Sequence, residues 1–361
     1  MELNKKIKYL FFGNAQSVHL IKWIKALAPL CDVYVISSTT IHPDLNNIVD
    51  IDKCFSLYLS IEAGGGNIKI LQSLYKVNAI IKRIQPDVVN AHYITSHGLI
   101  TSIIKHCWNH KFLLIASTWG SDILITPHKN IGYKMITKFI LNTSDIITSD
   151  AQVMTEEIKK LSNTKILTFT FGLESLPEVS LNEKNFNYFF SNRILSSNYN
   201  IDKVIRHFSS IFKQNKEAKL YIANEGEDKA KLVALCKQLN MGTAVEFIGF
   251  LNQNEQSDFY RKSGFYYSLP TSDATSVSLL EAMAWACIPI VSDIPANREW
   301  ITNEYNGIVL SAIDIPFDHE ILLKKEEIMG INRTIIADKA IFKNSIASFF
   351  NEVINFKPIT K

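Results

Sequence analysis

The chain has 361 residues, enough for two domains that each bury a core of their own. Hydrophobic residues make up 47% of it and charged residues 20%, and the formal net charge of +3 argues against a nucleic-acid-binding protein. The charge is uneven, because residues 1–170 hold 18 Lys and Arg against 12 Asp and Glu. This basic first half suits phosphates, an anionic membrane surface or an acidic acceptor, and a chance imbalance on solvated helix faces explains it as well.

The cysteine pattern and the apolar runs bear on the compartment. Five cysteines are scattered without a C-x-x-C pair, which argues against a zinc site or a disulfide framework. The start MELNKKIKYLFFG lacks the features of a signal peptide, and no run reaches the ~20 apolar residues that span a bilayer. We expect a cytoplasmic protein, with peripheral contact at the inner face of the membrane as an open alternative.

The first half alternates short apolar runs with segments of helical periodicity. The predicted strands are KYLFFG (8–13), VYVIS (33–37), LYLSI (57–61), VVNAHY (88–93), FLLIAS (112–117), DIITSD (145–150) and ILTFTFG (166–172). Strands that alternate with helices predict βαβ units and a mostly parallel sheet.

The same pattern restarts after a polar stretch, LESLPEVSLNEKN (173–185). The later strands are FNYFFS, KLYIAN, VEFIGF, GFYYSLP, IPIVSD and NGIVL, and the last ~30 residues have helical periodicity. We predict two tandem doubly wound domains, residues 1–174 and 175–335, followed by a C-terminal helix and tail, 336–361. The carboxyl ends of their strands are expected to form a central cleft.

The loop in GFYYSLPTSDATSVSLLEAMAWACIPIV (264–291) places Asp273 and Glu281 eight positions apart. Ser278 and Glu281 fit a capping box, and Thr275 and Ser276 are equally suitable helix caps. The same segment suits a ligand, because the start of a helix offers free amide donors to a phosphate. A carboxylate before that helix can accept hydrogen bonds from sugar hydroxyls. The residues leave both interpretations open.

This segment resembles the E-x(7)-E motif of retaining GT-B glycosyltransferases of family 4, also called glycosyl transferases group 1, in a variant with Asp first. The resemblance continues upstream through KLYIANEGEDKAKLVALCKQLNMGTAVEFIGF. In the first half, GNAQSVHLIKWIKALA, PDVVNAHYITSHGLI and STWGSDIL are similar to the acceptor-side loops of the same family. These segments cover most of the chain in the expected order, and they imply a GT-B fold whose C-terminal helix packs back on the first domain.

The resemblance implies a donor site in the second half. Asp273 would contact the hydroxyls of the donor sugar, Glu281 would hold the ribose diol, and Arg193 would neutralise the diphosphate. The backbone of the loop would lie beside the sugar and diphosphate, through Ala274, Thr275, Ser276 and Val277, and Gly13 would line the cleft from the first half. Asp122, Asp273 and Arg193 are the residues that it implies for catalysis.

Three departures from the family pattern concern the diphosphate clamp. The usual lysine five residues after the arginine is Asn198 here, with Lys203 as the nearest substitute. The usual glycine after the first acid is Ala274. The usual G-x-G turn is replaced by the sequence NEGE (224–227).

The acceptor side is predicted around two loops of the first half. The resemblance implies acceptor binding by Ser17, His19, Trp119, Gly120 and Ser121. Asp122 would orient the acceptor hydroxyl or act as a base; a plain helix cap is the alternative. Another strand end carries three further candidates, His92, Tyr93 and His97.

The resemblance implies metal-independent, retaining transfer of a sugar from a UDP- or GDP-linked donor, without a cofactor. The acceptor would be a saccharide, free or lipid-linked, in bacterial surface polysaccharide synthesis, and Lys5, Lys6, Lys8, Lys22 and Lys25 suit a membrane setting. Two alternatives stay open: a nucleotide-sugar epimerase and a non-catalytic GT-B partner subunit. An NAD enzyme is disfavoured, because the glycine run at 63–67 lacks the G-x-G-x-x-G spacing.

Overall fold

The computed structural model describes residues 6–59 and 68–356, with residues 68 and 69 as backbone only. The glycine run at 63–67 and Lys5 lie outside the described residues. Within them, the chain forms two compact units. The first contains residues up to Phe169 and residues from Lys343 onward, and the second contains Thr170–Phe342. The chain thus passes from the first unit to the second five residues before the predicted boundary at 174. It returns to the first unit after Phe342, whereas the second domain was predicted to end at 335.

The first unit is built on a parallel sheet. Its strands are β1 (Lys8–Gly13), β2 (Asp32–Ser37), β3 (Cys54–Ser56), β4 (Val88–His92), β5 (Leu113–Ser117), β6 (Ile146–Ser149) and β7 (Lys165–Thr168). They lie in the order β3-β2-β1-β4-β5-β6-β7. The helices are α1 (Val18–Leu27), α2 (Leu74–Ile84), α3 (Leu99–Trp108), α4 (Ser121–Leu124), α5 (Thr126–Lys129), α6 (Ile131–Thr143) and α7 (Gln152–Lys159).

The second unit repeats this design. Its strands are β8 (Asn185–Ser191), β9 (Lys219–Ala223), β10 (Val245–Gly249), β11 (Ser263–Ser268), β12 (Ile288–Ser292) and β13 (Ile308–Leu310). They form a parallel sheet in the order β10-β9-β8-β11-β12-β13. The helices are α8 (Ile201–Gln214), α9 (Lys229–Gln238), α10 (Gln253–Lys262), α11 (Val277–Ala284), α12 (Pro295–Arg298) and α13 (Lys325–Lys339). Both sheets confirm the predicted doubly wound architecture.

One predicted strand is wrong. The run at 57–61 was predicted as a strand, but β3 comprises Cys54–Ser56 and pairs with β2 at the edge of the described sheet. Residues 57–59 follow the strand without regular structure, and residues 60 and 61 lie outside the described part. All three residues of β3 are half-buried. An edge strand of three residues leaves no continuous apolar run in the sequence. The longer apolar run that follows β3 was therefore predicted as the strand.

The two faces of the second sheet have separate cores, as expected for strands buried on both sides. Successive residues point to opposite faces, so Phe189 packs in one cluster with Phe265, and Phe190 packs in the other with Tyr266. This alternation explains why its strands read as continuous apolar runs in the sequence.

The C-terminal helix α14 (Phe342–Ile354) belongs to the first unit from Lys343 onward, as predicted. Phe349 is 2% exposed, and its ring lies 5.1 Å from that of Trp23 and 5.4 Å from that of Phe169. Within the described residues, none of the helices combines the length and apolar character needed to cross a bilayer.

Candidate functional site

The order of the second sheet reverses between β8 and β11. Helical connections lead away from this point in opposite directions, so the loops after these two neighbouring strands diverge and leave a crevice at the carboxyl edge. Arg193 follows β8 and Asp273 follows β11. The topology therefore brings residues 80 positions apart to the place where open parallel sheets bind their ligands.

Arg193 joins the two loops. Its Nη2 donates to Oδ2 of Asp273 at 2.6 Å, and its Nη1 donates to the hydroxyl of Ser276. The ring of Tyr199 lies beneath the guanidinium, with its centroid 4.4 Å from Cζ. Arg193 is 9% exposed, so its charge is held by these neighbours and largely shielded from water.

Burial shapes the ionisation of this pair. Burial raises the pKa of the Asp273 carboxyl, and the guanidinium of Arg193 offsets part of that rise. Burial alone would lower the pKa of Arg193, but the carboxylate of Asp273 raises it above its ordinary value. A permanent positive charge thus sits at the crevice with little competing water, which strengthens its interaction with an anion.

Helix α11 begins directly beside this pair. Ser276 is its N-cap and accepts a hydrogen bond from the amide of Leu279 at 3.4 Å. The capping-box interpretation with Ser278 is therefore wrong, because the helix begins two residues earlier and Glu281 lies beyond its first turn. The preceding residues Ala274 and Thr275 are small and buried. Their size lets a ligand approach the backbone at the positive end of the helix.

Glu281 is half-buried on α11, where a tyrosine positions it. The hydroxyl of Tyr260 lies 3.1 Å from Oε2 of Glu281 and 2.8 Å from Nδ2 of Asn192. Oδ1 of Asn192 in turn accepts from the hydroxyl of Tyr266 at 2.8 Å. This chain of buried polar groups connects Glu281 to the residue next to Arg193. Sequence reasoning missed Tyr260 and Asn192, since an aromatic residue on a helix is most often simply core.

Asn198 stands where the family usually has a lysine, and it binds the loop that carries Asp273. Its amide donates to the carbonyl of Ser272 at 3.0 Å and accepts from the amide of the same residue at 3.3 Å. Asn200 adds a 2.8 Å bond to the carbonyl of Leu269. Lys203 lies exposed on α8. The lysine of the family pattern is thus replaced by a neutral asparagine that holds the two loops together.

The turn after β9 replaces one glycine of the family's G-x-G pattern and keeps the other. Asn224 adopts a φ of 83°, a left-handed conformation that asparagine tolerates better than most residues. Gly226 is retained for space, because a Cβ there would lie 2.3 Å from the carbonyl oxygen of Leu195. The backbone therefore follows this close path without the G-x-G sequence.

In the first unit, the order of strands reverses between β1 and β4. Gly13 ends β1 and is buried, and a Cβ there would lie 3.2 Å from that of His92. Ser17 is half-buried at the start of α1. The ring of His19 lies 5.1 Å from that of Trp119, and burial lowers the pKa of His19. The first unit thus gathers several predicted acceptor residues at its own carboxyl edge.

The ring of Trp119 also stacks on that of Tyr93 at 6.1 Å. Tyr93 has a φ of 66°, which places it in a turn that ordinary side chains avoid. Gly120 has a φ of 98° and precedes α4, where Ser121 is exposed. A flat aromatic wall and an exposed hydroxyl are suited to a sugar.

Asp122 is 1% exposed and holds two loops together. Its Oδ1 accepts from the amide of Trp119 at 2.9 Å and its Oδ2 from the amide of Ile94 at 3.2 Å. Burial raises the pKa of Asp122 to about 6, although these amides lower it. With both oxygens turned toward backbone, the geometry favours a structural role in this conformation, and the predicted role as a base stays a prediction.

Two histidines near this edge are fully buried. His97 Nδ1 lies 2.6 Å from the carbonyl of His92, and burial lowers the pKa of His97 to about 4. Among the described residues, neither ring nitrogen of His92 has a hydrogen-bond partner, and burial lowers the pKa of His92 to about 3. Both therefore pack as neutral rings at neutral pH. In the described part of the chain, no three His, Cys, Asp or Glu side chains converge in an arrangement suited to a metal ion.

The second sheet thus unites Arg193, Asp273, Ser276 and Glu281, while the acceptor candidates and Gly13 belong to the first unit. A doubly wound sheet with a buried cation and a helix start at its switch point defines a class of α/β protein that binds ligands at this edge of the sheet.

Two stretches of the chain match known protein families. Residues 8–151 match the family described as Glycosyl transferase 4-like, and residues 174–315 match Glycosyl transferases group 1. The chain carries these two glycosyltransferase domains in succession, and together they span most of its length.

Two curated relatives are similar over part of their length. An uncharacterized glycosyltransferase of Methanocaldococcus jannaschii is 26% identical over 276 residues, which are 69% of this chain and 66% of the relative. The alpha-monoglucosyldiacylglycerol synthase of Streptococcus pneumoniae is 25% identical over 113 residues, which are 31% of this chain and 26% of the synthase. The chain therefore spans between about a quarter and just under two thirds of these relatives.

Among solved structures, the fold is similar to that of Anabaena HepE in complex with UDP and glucose. The TM-score is 0.76 at 12% identity, over 97% of this chain and all of the other. At this identity the likeness concerns the fold alone. It confirms the GT-B architecture of two Rossmann-like domains.

Proposed function

We propose that this protein is a metal-independent, retaining glycosyltransferase. It takes a sugar from a nucleoside diphosphate donor and transfers it to a saccharide acceptor, free or lipid-linked, in bacterial surface polysaccharide synthesis. The observation that carries this proposal is the buried Arg193–Asp273 pair at the start of α11. It places a cation, a carboxylate and free amide donors within one crevice, as a sugar diphosphate requires.

The donor fits this crevice by charge and by hydrogen bonding. The diphosphate lies at the start of α11 against Arg193, because both present N–H donors and positive charge. Asp273 accepts hydrogen bonds from the sugar hydroxyls. Glu281, one turn further along α11, takes the ribose diol and is oriented by Tyr260.

The chemical step follows from these positions. The bond between the sugar C1 and the diphosphate oxygen breaks, and the acceptor oxygen forms a bond to C1 from the same face. The acceptor proton passes to the departing phosphate, so no enzymic nucleophile is needed. Arg193 stabilises the negative charge that develops on the leaving nucleoside diphosphate.

Uridine is the favoured base of the donor. Anabaena HepE, with which this chain shares its fold, has been crystallised with UDP, with UDP and glucose, and with UDP-glucose. We therefore rank a UDP-sugar before a GDP-sugar.

A thermal-shift panel of UDP-, GDP-, ADP- and dTDP-sugars without metal tests donor binding. We expect one nucleotide family to raise the melting temperature, since a ligand of the native state stabilises by mass action. Glu281→Gln should weaken that donor at least about tenfold by losing the charged acceptor of the ribose diol. Glu246→Gln, at an exposed position on β10, is the matched control and should bind as the wild type does. Equal binding by the Glu281 variant would contradict this site.

The second candidate, a non-catalytic partner subunit, is favoured by the neutral clamp of Asn198 in place of a lysine. Product formation separates it from a transferase: acceptor-dependent release of the nucleotide supports transfer, and binding without release supports the partner subunit. Conversion of the nucleotide sugar without an acceptor would instead indicate an epimerase. The anomeric configuration of the product by NMR tests retention, and unchanged activity in EDTA tests metal independence.

A further inference from the structure

A patch on the first unit combines exposed apolar and basic side chains. Helix α6 presents Ile131, Lys134, Met135 and Lys138 on its outer side, and we refer to these four residues as the outer face of α6. Ile131 is 73% exposed and Met135 is 61% exposed. Large apolar side chains left this open to water, one turn apart on one helix, are unusual enough to need an explanation.

The inner side of the same helix accounts for its place in the fold. Thr137, Ile140 and Leu141 are fully buried, and Ile140 packs closely against Gly98. The outer face of α6 therefore contributes little to the core of the first unit. Its apolar residues are available for contact with a partner outside the chain.

The chain segment that contains the outer face of α6 carries charge of one sign. Residues 123–144 contain Lys129, Lys134 and Lys138 but neither Asp nor Glu. Asp122, just before this stretch, is buried. Glu157 lies 3.8 Å from His128 at the edge of the patch and also pairs with Lys160.

We infer that the outer face of α6 docks on the surface of an anionic lipid bilayer. Apolar side chains enter the boundary between headgroups and acyl chains, while lysines remain at the level of the phosphates. A second copy of the chain fits this patch poorly. A two-fold contact would oppose lysines to lysines, and so few apolar residues fall short of the ~1,200 Å² of a stable interface.

Docking here also bears on the acceptor. Gly120 and Ser121 are separated from the acid-free stretch by the buried Asp122, so the loop with the predicted acceptor residues would be held near the lipid surface. This last step rests on the proposed function, whereas the docking itself does not.

Co-sedimentation with vesicles of phosphatidylcholine, with and without phosphatidylglycerol, tests the inference. We expect binding to the anionic vesicles and weakening in high salt, which screens the lysines. The double variant Ile131→Ser/Met135→Ser should lose at least about tenfold in binding, since each apolar side chain adds to the buried area. Lys134→Gln/Lys138→Gln should lose both affinity and salt dependence. Leu323→Ser, at a residue 86% exposed in the second unit, is the matched control and should bind fully.

Three results would overturn the inference: no binding to anionic vesicles, binding that survives the Ile131/Met135 change, or concentration-dependent dimers that the same change abolishes. Thermal shifts with the donor are measured on each variant. A variant that loses vesicle binding but keeps the normal thermal shift with the donor supports docking as a property independent of glycosyl transfer. Lost donor binding with intact vesicle binding would instead count against the proposed function.

Discussion

At the scale of single residues, the geometry of Arg193 matters as much as its charge. Its two terminal nitrogens contact Ser276 and Asp273 at once, and a lysine has one nitrogen for the same task. We expect Arg193→Lys to lower the free energy of unfolding by about 1–3 kcal/mol, because one partner is left buried without its hydrogen bond. Urea denaturation measures this. Arg206→Lys, at an exposed position on α8, should change stability little, and equal effects of both would refute the expectation.

A second residue-scale prediction concerns acid sensitivity. Unfolded His92 takes up a proton near its ordinary pKa of about 6.5, whereas the folded residue does so only near a pKa of about 3. The unfolded chain binds more protons between these values, so stability is lost as the pH falls through this window. His97 acts in the same direction from its own buried position. The contribution of His92 amounts to about 2 kcal/mol between about pH 6.5 and about pH 5.

His92→Leu should therefore reduce the acid sensitivity of the fold by about this amount and leave the share of His97 in place. The substitution breaks no hydrogen bond within the described part of the chain, because neither ring nitrogen of His92 has a partner there. Urea denaturation at about pH 7.5 and about pH 5 checks the difference. His106→Leu, at an exposed position, serves as control. An unchanged pH dependence in the His92 variant would show that the buried ring titrates normally.

At the scale of elements, the turn after β9 depends on the absence of a side chain at Gly226. Gly226→Ala would force a Cβ against the backbone of Leu195, which cannot move as a flexible side chain can. We expect a loss of about 1–3 kcal/mol in the free energy of unfolding. Gly330→Ala, inside α13 with open space around it, should instead gain about 0.5–1 kcal/mol. In urea denaturation, Gly226→Ala should lower the free energy of unfolding and Gly330→Ala should raise it. A lower value in both variants would contradict the steric explanation.

The elements also show what sequence can predict. Strands buried on both faces, such as β8 and β11, appear as continuous apolar runs, and their carboxyl ends locate Arg193 and Asp273 once the resemblance is recognised. The sequence does not fix the start of α11, because Ser276 and Ser278 are chemically equivalent caps and the path of the loop selects the first. The contacts of Tyr260 and Asn198 depend on side chains that meet across the fold, and no local pattern encodes them.

At the scale of the whole molecule, the first unit depends on helix α14, which follows the second unit in the chain. Phe349 from α14 fills a space between Trp23 and Phe169. Phe349→Ala should cost about 3–5 kcal/mol in the stability of this unit, through lost burial and a cavity. Phe250→Ala, 76% exposed in the second unit, is the matched control. Hydrogen exchange should rise in the amides of β1 and stay constant in those of β8, whereas a uniform rise would mean that the two units unfold together.

Because α14 belongs to the first unit, this unit can be completed only late in protein synthesis. The ribosome completes β1 to β7 early, yet helix α14, which closes this core, emerges only after the whole second unit. At roughly 5–20 residues per second, the interval between Phe169 and Phe349 lasts roughly ten to forty seconds. During that time Trp23 and its neighbours are not yet covered by Phe349. A nascent chain that stalls or ends before α14 would therefore leave the first unit, which is made first, without the helix that completes its core.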